Sequence, residues 1–127
     1  MKEFLTDAEY EILTKDLSCR VSYGTYIQFP KSKLFGDLED TIQKLSISNL
    51  RRICINLRYA VCLPYLRPMD SMNPEELLEV TAIFKSGLDT LDEFVEYIDW
   101  LNKKHFDYRG LIKMGLAIEA PEEMYNF

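Results

Sequence analysis

The residues best equipped for chemistry fall in one short run, His105-Phe106-Asp107-Tyr108-Arg109-Gly110, which sets an imidazole, a carboxylate, a phenol and a guanidinium within five positions. Groups of these types can move protons or hold an anion when they converge on one point. His105 is the only histidine, so multi-histidine metal sites are excluded and any Cys–His or Ser–His nucleophile would have to use it. No serine or cysteine stands near it in sequence. A histidine that follows an apolar helical stripe more often serves the helix C-terminus, where it meets the dipole and the last carbonyls. The five glycines, at 24, 36, 87, 110 and 115, form neither G-x-G-x-x-G nor a loop ending in G-K-[ST], so no nucleotide cofactor is implied. Cys19, Cys54 and Cys62 are odd in number and contain no C-x-x-C pair, which points to reduced, structural thiols.

Two charge features could bind rather than react. Asp89, Asp92, Glu93, Glu96 and Asp99 recur at helical spacing and would suit a basic partner, or would imitate phosphates, although a solvated helix face reads the same way. Asp92 with Glu96 lacks the loop that a divalent cation needs. Between residues 18 and 68, by contrast, eight basic side chains face three acids and interleave with tyrosines. Arg51, Arg52, Arg58, Tyr59 and Arg67 are the candidate nucleic-acid contacts, neutralising phosphates and stacking on bases. The flanks reverse the sign: residues 1–17 carry a net −3 and residues 69–127 a net −8, leaving −6 for the whole chain. That acidic total weighs against a dedicated nucleic-acid binder. It also permits the oppositely charged regions simply to attract each other within one fold.

These residues must be positioned by a single domain, residues 1–127, of α+β class. Thr6-Asp7-Ala8-Glu9 is a capping box that opens a helix over about 7–17. A β region over about 18–68 follows. Cys19, Val21, Tyr23, Thr25, Ile27 and Phe29 alternate with polar residues up to Pro30 and predict one strand. A hairpin is expected from strands at 42–47 and 50–57, turning at Ser48-Asn49, with Ile53, Ile55 and Leu57 on one face; a helix through Leu38, Ile42 and Leu45 is the alternative. Residues 59–63 predict a further short strand, and Pro64 and Pro68 hold Tyr65-Leu66-Arg67 extended or in a turn. The result is a small, curved antiparallel sheet of three to five strands and SH3-like size. A helical region over about 73–120 closes the fold with two or three helices. Asn73-Pro74 and Glu76 cap the first, and Gly87 stops it. Thr90 with Glu93 caps the next, whose apolar face is Leu91, Phe94, Val95, Ile98 and Leu101. A shorter helix follows Asp107 and ends near Gly115, and Pro121 closes the ordered region. No apolar run approaches the roughly 20 residues of a membrane span, and the acidic N-terminus lacks a signal-peptide core, so the chain is expected to be cytoplasmic.

Pro64-Tyr65-Leu66-Arg67-Pro68-Met69 with Ser71-Met72 resembles the pattern P-Y-L-R-P-[ML]-S-S-M, with Asp70 at the first serine. Together with Trp100-Leu101-Asn102, His105 to Ile112, Gly115-Leu116-Ala117, Glu119-Ala120-Pro121 and Met124-Tyr125, it resembles the C-terminal half of a family of small proteins found in gut Bacteroidales and their phages. The resemblance implies no activity. It implies a phage- or mobile-element-associated accessory protein, and it makes His105, Asp107, Tyr108 and Arg109 the first place to seek a protein contact surface. The expected function is a non-enzymatic protein-interaction module without cofactor; the alternatives are a nucleic-acid binder using a basic aromatic sheet and an acidic inhibitor that imitates nucleic acid.

Overall fold

The computed structural model describes residues 4–31, 39–84 and 90–125. Helix α1 (Asp7–Arg20) starts as the capping box requires: Glu9 N–H donates to Thr6 Oγ1 at 3.1 Å, and Thr6 N–H to Glu9 Oε1 at 3.0 Å. The helix outruns its expected end at residue 17, because Arg20 reaches back one turn to Asp16 and both side chains are fully buried. A 3₁₀ turn (Val21–Tyr23) and Gly24, at φ +67°, then redirect the chain. The alternation from residue 19 therefore becomes a strand only in its last part, β1 (Tyr26–Phe29).

Strand β2 (Thr41–Lys44) pairs antiparallel with β1, from Tyr26 opposite Lys44 to Phe29 opposite Thr41. The expected hairpin partner at 50–57 is instead helix α2 (Ile47–Asn56). Its entry is fixed by Asn49, whose Oδ1 accepts from Ser46 N–H at 2.8 Å and whose amide donates to the Lys44 carbonyl. Leu50, Ile53 and Leu57 then share a helical stripe that packs into the core, whereas Ile55 points outward at 63% exposure. The period of two in Ile53, Ile55 and Leu57 was thus a coincidence of composition.

The strand expected at 59–63 is displaced onto β3 (Leu63–Leu66), which is buried along its whole length and antiparallel to β1. Helix α3 (Pro74–Ile83) carries its expected box, with Glu76 N–H donating to Asn73 Oδ1 and Asn73 N–H to Glu76 Oε1. Helix α4 (Leu91–Lys103) is capped by Thr90. The Gly87 stop, Asp89, Lys33, Gly36 and Leu38 lie outside the described residues. The short helix α5 (Leu111–Met114) ends at Gly115 as expected. Strand β4 (Ile118–Glu119) then runs parallel to β3, giving the order β2-β1-β3-β4 and a mixed rather than antiparallel sheet. The return through three helices is long enough for a parallel neighbour. Pro121 does not close the ordered chain: Tyr125, only 9% exposed, donates its hydroxyl to the Tyr65 carbonyl at 2.9 Å.

The α+β expectation stands, built as one apolar cluster from Leu13 and Leu17 of α1, Ile27 and Phe29 of β1, Ile53 of α2, and Leu111. Among the described residues no helix is long and apolar enough to cross a membrane. Denaturant titration of single variants checks the helical register of α2. Ile53→Ala should cost about 3 kcal/mol as a buried truncation, and Ile55→Ala no more than about 0.5 kcal/mol; a hairpin would make the two losses alike.

Candidate functional site

The run singled out in sequence is the turn between α4 and α5, and the fold grips it from three sides. His105 has φ +65°, the left-handed region that bulky residues rarely adopt. It is held there by the backbone: His105 N–H donates to the Asn102 carbonyl at 3.1 Å, the His105 carbonyl accepts from Arg67 N–H at 2.8 Å, and Asp107 N–H donates to the Arg67 carbonyl at 2.9 Å. Phe106 thereby bridges in parallel to Arg67, just beyond the end of β3. The imidazole stacks on Tyr125 with ring centroids 3.8 Å apart, and its Nδ1 lies 3.0 Å from Thr25 Oγ1. Burial first, then the positive charges of Arg20, Arg67 and Lys104, lower the His105 pKa to about 4, so the ring is neutral at physiological pH.

The other members of the run divide by depth. The Asp107 carboxylate accepts from Leu111 N–H at 2.7 Å and Ile112 N–H at 3.0 Å, so it holds the start of α5 and is only 8% exposed. The Tyr108 hydroxyl donates to Asn102 Oδ1 at 3.0 Å. Arg109 Nε donates to Asp16 Oδ1 at 3.2 Å while its side chain stays 31% exposed. Asp16 also accepts from Arg20 Nε at 2.8 Å and Nη2 at 3.1 Å, and the same Nη2 donates to the Phe106 carbonyl at 2.7 Å. Of the four expected contact residues, Tyr108 and Arg109 reach the surface, and His105 and Asp107 work inside it.

The Thr25–His105 pair has the outline of a hydroxyl–imidazole dyad. Thr25 is fully buried and His105 only 4% exposed, so a substrate could not approach without opening the site. Beside the turn run two adjoining grooves of about 440 and 510 Å³ that share Pro68, Asp70 and Glu119. Their acidic lining would favour a cation, yet among the described residues no group of three or more His, Cys, Asp or Glu side chains is placed to hold a metal ion. Cys62 is buried, with burial chiefly raising its thiol to about 12, while Cys19 is exposed, contrary to the burial expected of a structural thiol; all three cysteines are unpaired.

The basic set expected to line a sheet is scattered. Arg51 and Arg52 stand exposed on α2, and Tyr59 is 75% exposed just after it. Arg58 is ion-paired with Asp7 and lies over the Tyr10 ring. Arg67 is drawn inward, donating Nη1 to Glu76 Oε2 at 2.7 Å and Nη2 to Oε1 at 2.6 Å, over the face of Phe106. Burial is the largest single influence and opposes the Glu76 charge, but the Arg67 hydrogen bonds, the Asn73 N–H and the positive charges of Arg67 and Lys104 together outweigh it and hold that carboxyl below its ordinary range.

Sequence reasoning missed a different surface. The apolar face of α4 is covered at its C-terminal end, where Leu101 is 1% exposed, and open at its N-terminal end, where Leu91, Phe94 and Val95 are 77%, 52% and 51% exposed. Asp92, Glu96 and Asp99 are exposed on the same helix. The apolar spacing was legible; that half of it stays exposed among the described residues was not. No protein-family model, curated protein or solved structure matches the chain.

Removal of Asp16 would strand the Arg20 charge in the interior. Asp16→Ala should destabilise the fold by about 3–5 kcal/mol in chemical denaturation, the range for breaking a buried pair, and a loss below about 1 kcal/mol would contradict the buried geometry. His105 gives a pH signature of its own. Its pKa is lower in the folded chain than the ordinary 6.5, so acidification protonates the unfolded state first, and the stability that neutral His105 contributes above pH 6.5 is lost as pH falls toward about 4. The decline approaches about 1.4 kcal/mol per pH unit within that window. His105→Asn, which tolerates positive φ, should flatten the curve between pH 6.5 and 5, and an unchanged slope would count against the buried imidazole.

Proposed function

We propose that the chain is a non-enzymatic protein-interaction module that acts in the cytoplasm and docks through the open end of α4. The observation that supports this reading is the half-covered apolar face. Leu91, Phe94 and Val95 continue the stripe that Ile98 and Leu101 bring to the body of the protein, and all three remain more than half exposed. Single exposed apolar residues are ordinary on soluble proteins, whereas several along one helical face mark a contact surface. The acids on the same helix select a partner of opposite sign, so the partner presents a basic, amphipathic segment. The motif resemblance favours an accessory role of phage or mobile-element type. The buried state of His105 and Thr25 argues against turnover at the one site with suggestive chemistry.

A specific observation also bears on the nucleic-acid reading. Arg58 and Arg67 are committed to Asp7 and Glu76, so the exposed cationic surface contracts to α2 and its flank. The test compares the wild-type chain with Phe94→Asp, both immobilised and offered nuclease-treated cell lysate, followed by hydrogen exchange on each purified partner complex. A stoichiometric protein that presents a basic, amphipathic segment, whether a different protein or a further copy of this chain, should be retained by the wild type at least tenfold better than by the variant, with protection over residues 91–98. Equal retention by both, or retention found only when the nuclease is omitted and lost with Arg51→Glu, overturns the reading.

A further inference from the structure

The chemistry that the open face of α4 selects is present on the same molecule. From residue 41 to residue 69 there are five basic side chains and no acid, and helix α2 sits within that stretch. Ile47, Arg51 and Ile55 fall at i, i+4 and i+8 on one exposed stripe of α2, the two isoleucines being 81% and 63% exposed. Tyr59, 75% exposed, lies in the turn that follows α2. A cationic helix with two apolar anchors is the counterpart of an acidic helix with an uncovered apolar face. Both surfaces are exposed in one chain, so neither covers the other within it.

We infer that the open face of α4 receives α2 of a second copy of this chain. The inference rests on α4 being the docking face and supplies its occupant. Charge fixes the kind of contact. An α4-to-α4 dimer would bring Asp92, Glu96 and Asp99 against their own copies, and an α2-to-α2 dimer would do the same to Arg51 and Arg52, so like charge disfavours both two-fold arrangements. The α2-to-α4 contact is head to tail. Unless two copies exchange both contacts in a closed pair, each keeps one unused donor helix and one unused acceptor face, and assembly continues until a larger ring closes or a filament grows.

A head-to-tail contact can be tested by complementation. Leu91→Asp with Phe94→Asp removes the acceptor face and leaves α2 intact; Arg51→Asp with Ile55→Asp removes the donor and leaves α4 intact. All four positions are exposed, and circular dichroism is the check that each variant keeps its helices. In sedimentation velocity the wild type should rise in mean mass with concentration and fall back at high salt. Each variant alone should stay monomeric, and their equimolar mixture should yield a one-to-one dimer, because each supplies the surface the other lacks. A wild type that is monomeric at millimolar concentration, or variants that fail to pair in the mixture, overturns the inference. Either failure concerns the second copy alone, since the docking role of α4 is read separately from partner-dependent protection over residues 91–98.

Discussion

Two charges with no access to water, Asp16 and Arg20, lie where the N-terminal helix meets the rest of the molecule. Taking such a pair out of solvent costs several kcal/mol per ion, and only close geometry with further hydrogen bonds offsets it. Here Asp16 accepts three N–H bonds, two from Arg20 and one from Arg109, and Arg20 spends a second bond of one nitrogen on the Phe106 carbonyl. Arg20 Nη1 has no hydrogen-bond partner among the described residues. The arrangement is therefore not one of maximal stability; leaving a buried donor unmet costs about 1–3 kcal/mol by itself. Its effect is positional. It carries α1 three residues past the apolar pattern's natural end, and it ties that helix to a turn almost ninety residues later in the chain.

The turn passes the constraint on to the sheet. Once Phe106 is anchored by Arg20, its neighbours His105 and Asp107 meet the backbone of Arg67 and extend the line of β3. The Arg67 side chain is then turned toward Glu76, whose carboxylate simultaneously caps α3. One buried ion pair thus reads into a second. Asp107 starts α5, whose end at Gly115 returns the chain to β3 as the parallel strand β4, and Tyr125 closes the circuit by binding the backbone of both Tyr26 and Tyr65 while stacking on His105. The strained φ of His105 is tolerated because both its backbone groups and its ring are committed.

Much of this was legible locally and little of it globally. Capping boxes at Thr6 and Asn73 and the side-chain cap at Thr90 located three helix starts because a cap is a contact over three residues. The strands failed where a period of two was read without knowing its partner. Residues 19–23 alternate but stay helical through the Asp16–Arg20 pair, and residues 53–57 alternate but are helical because Leu50, Ile53 and Leu57 also satisfy the longer period. The run from His105 to Arg109 drew attention for its chemical types, and it is indeed where distant elements converge. What the types could not convey was depth: His105 and Asp107 turned inward to hold the backbone, and Arg58 and Arg67 were taken up by acids from other segments.

That last point explains how a charge asymmetry in sequence becomes a surface property. Opposite charges from separate regions do meet inside the fold, which accounts for Arg58 with Asp7 and Arg67 with Glu76. If attraction within the chain were the whole account, the remaining charges would be mixed over the surface. Instead exposed acids on α4 and the exposed Arg51 on α2 each stand on a helix that also leaves large apolar side chains uncovered. Apolar exposure beside each charge is the decisive feature, because a solvated polar helix has no reason to hold Leu91, Phe94 or Ile47 out to water. Internal pairing therefore accounts for Arg58 and Arg67, which were withdrawn, and does not account for the large apolar side chains left exposed beside Arg51 and beside the acids of α4.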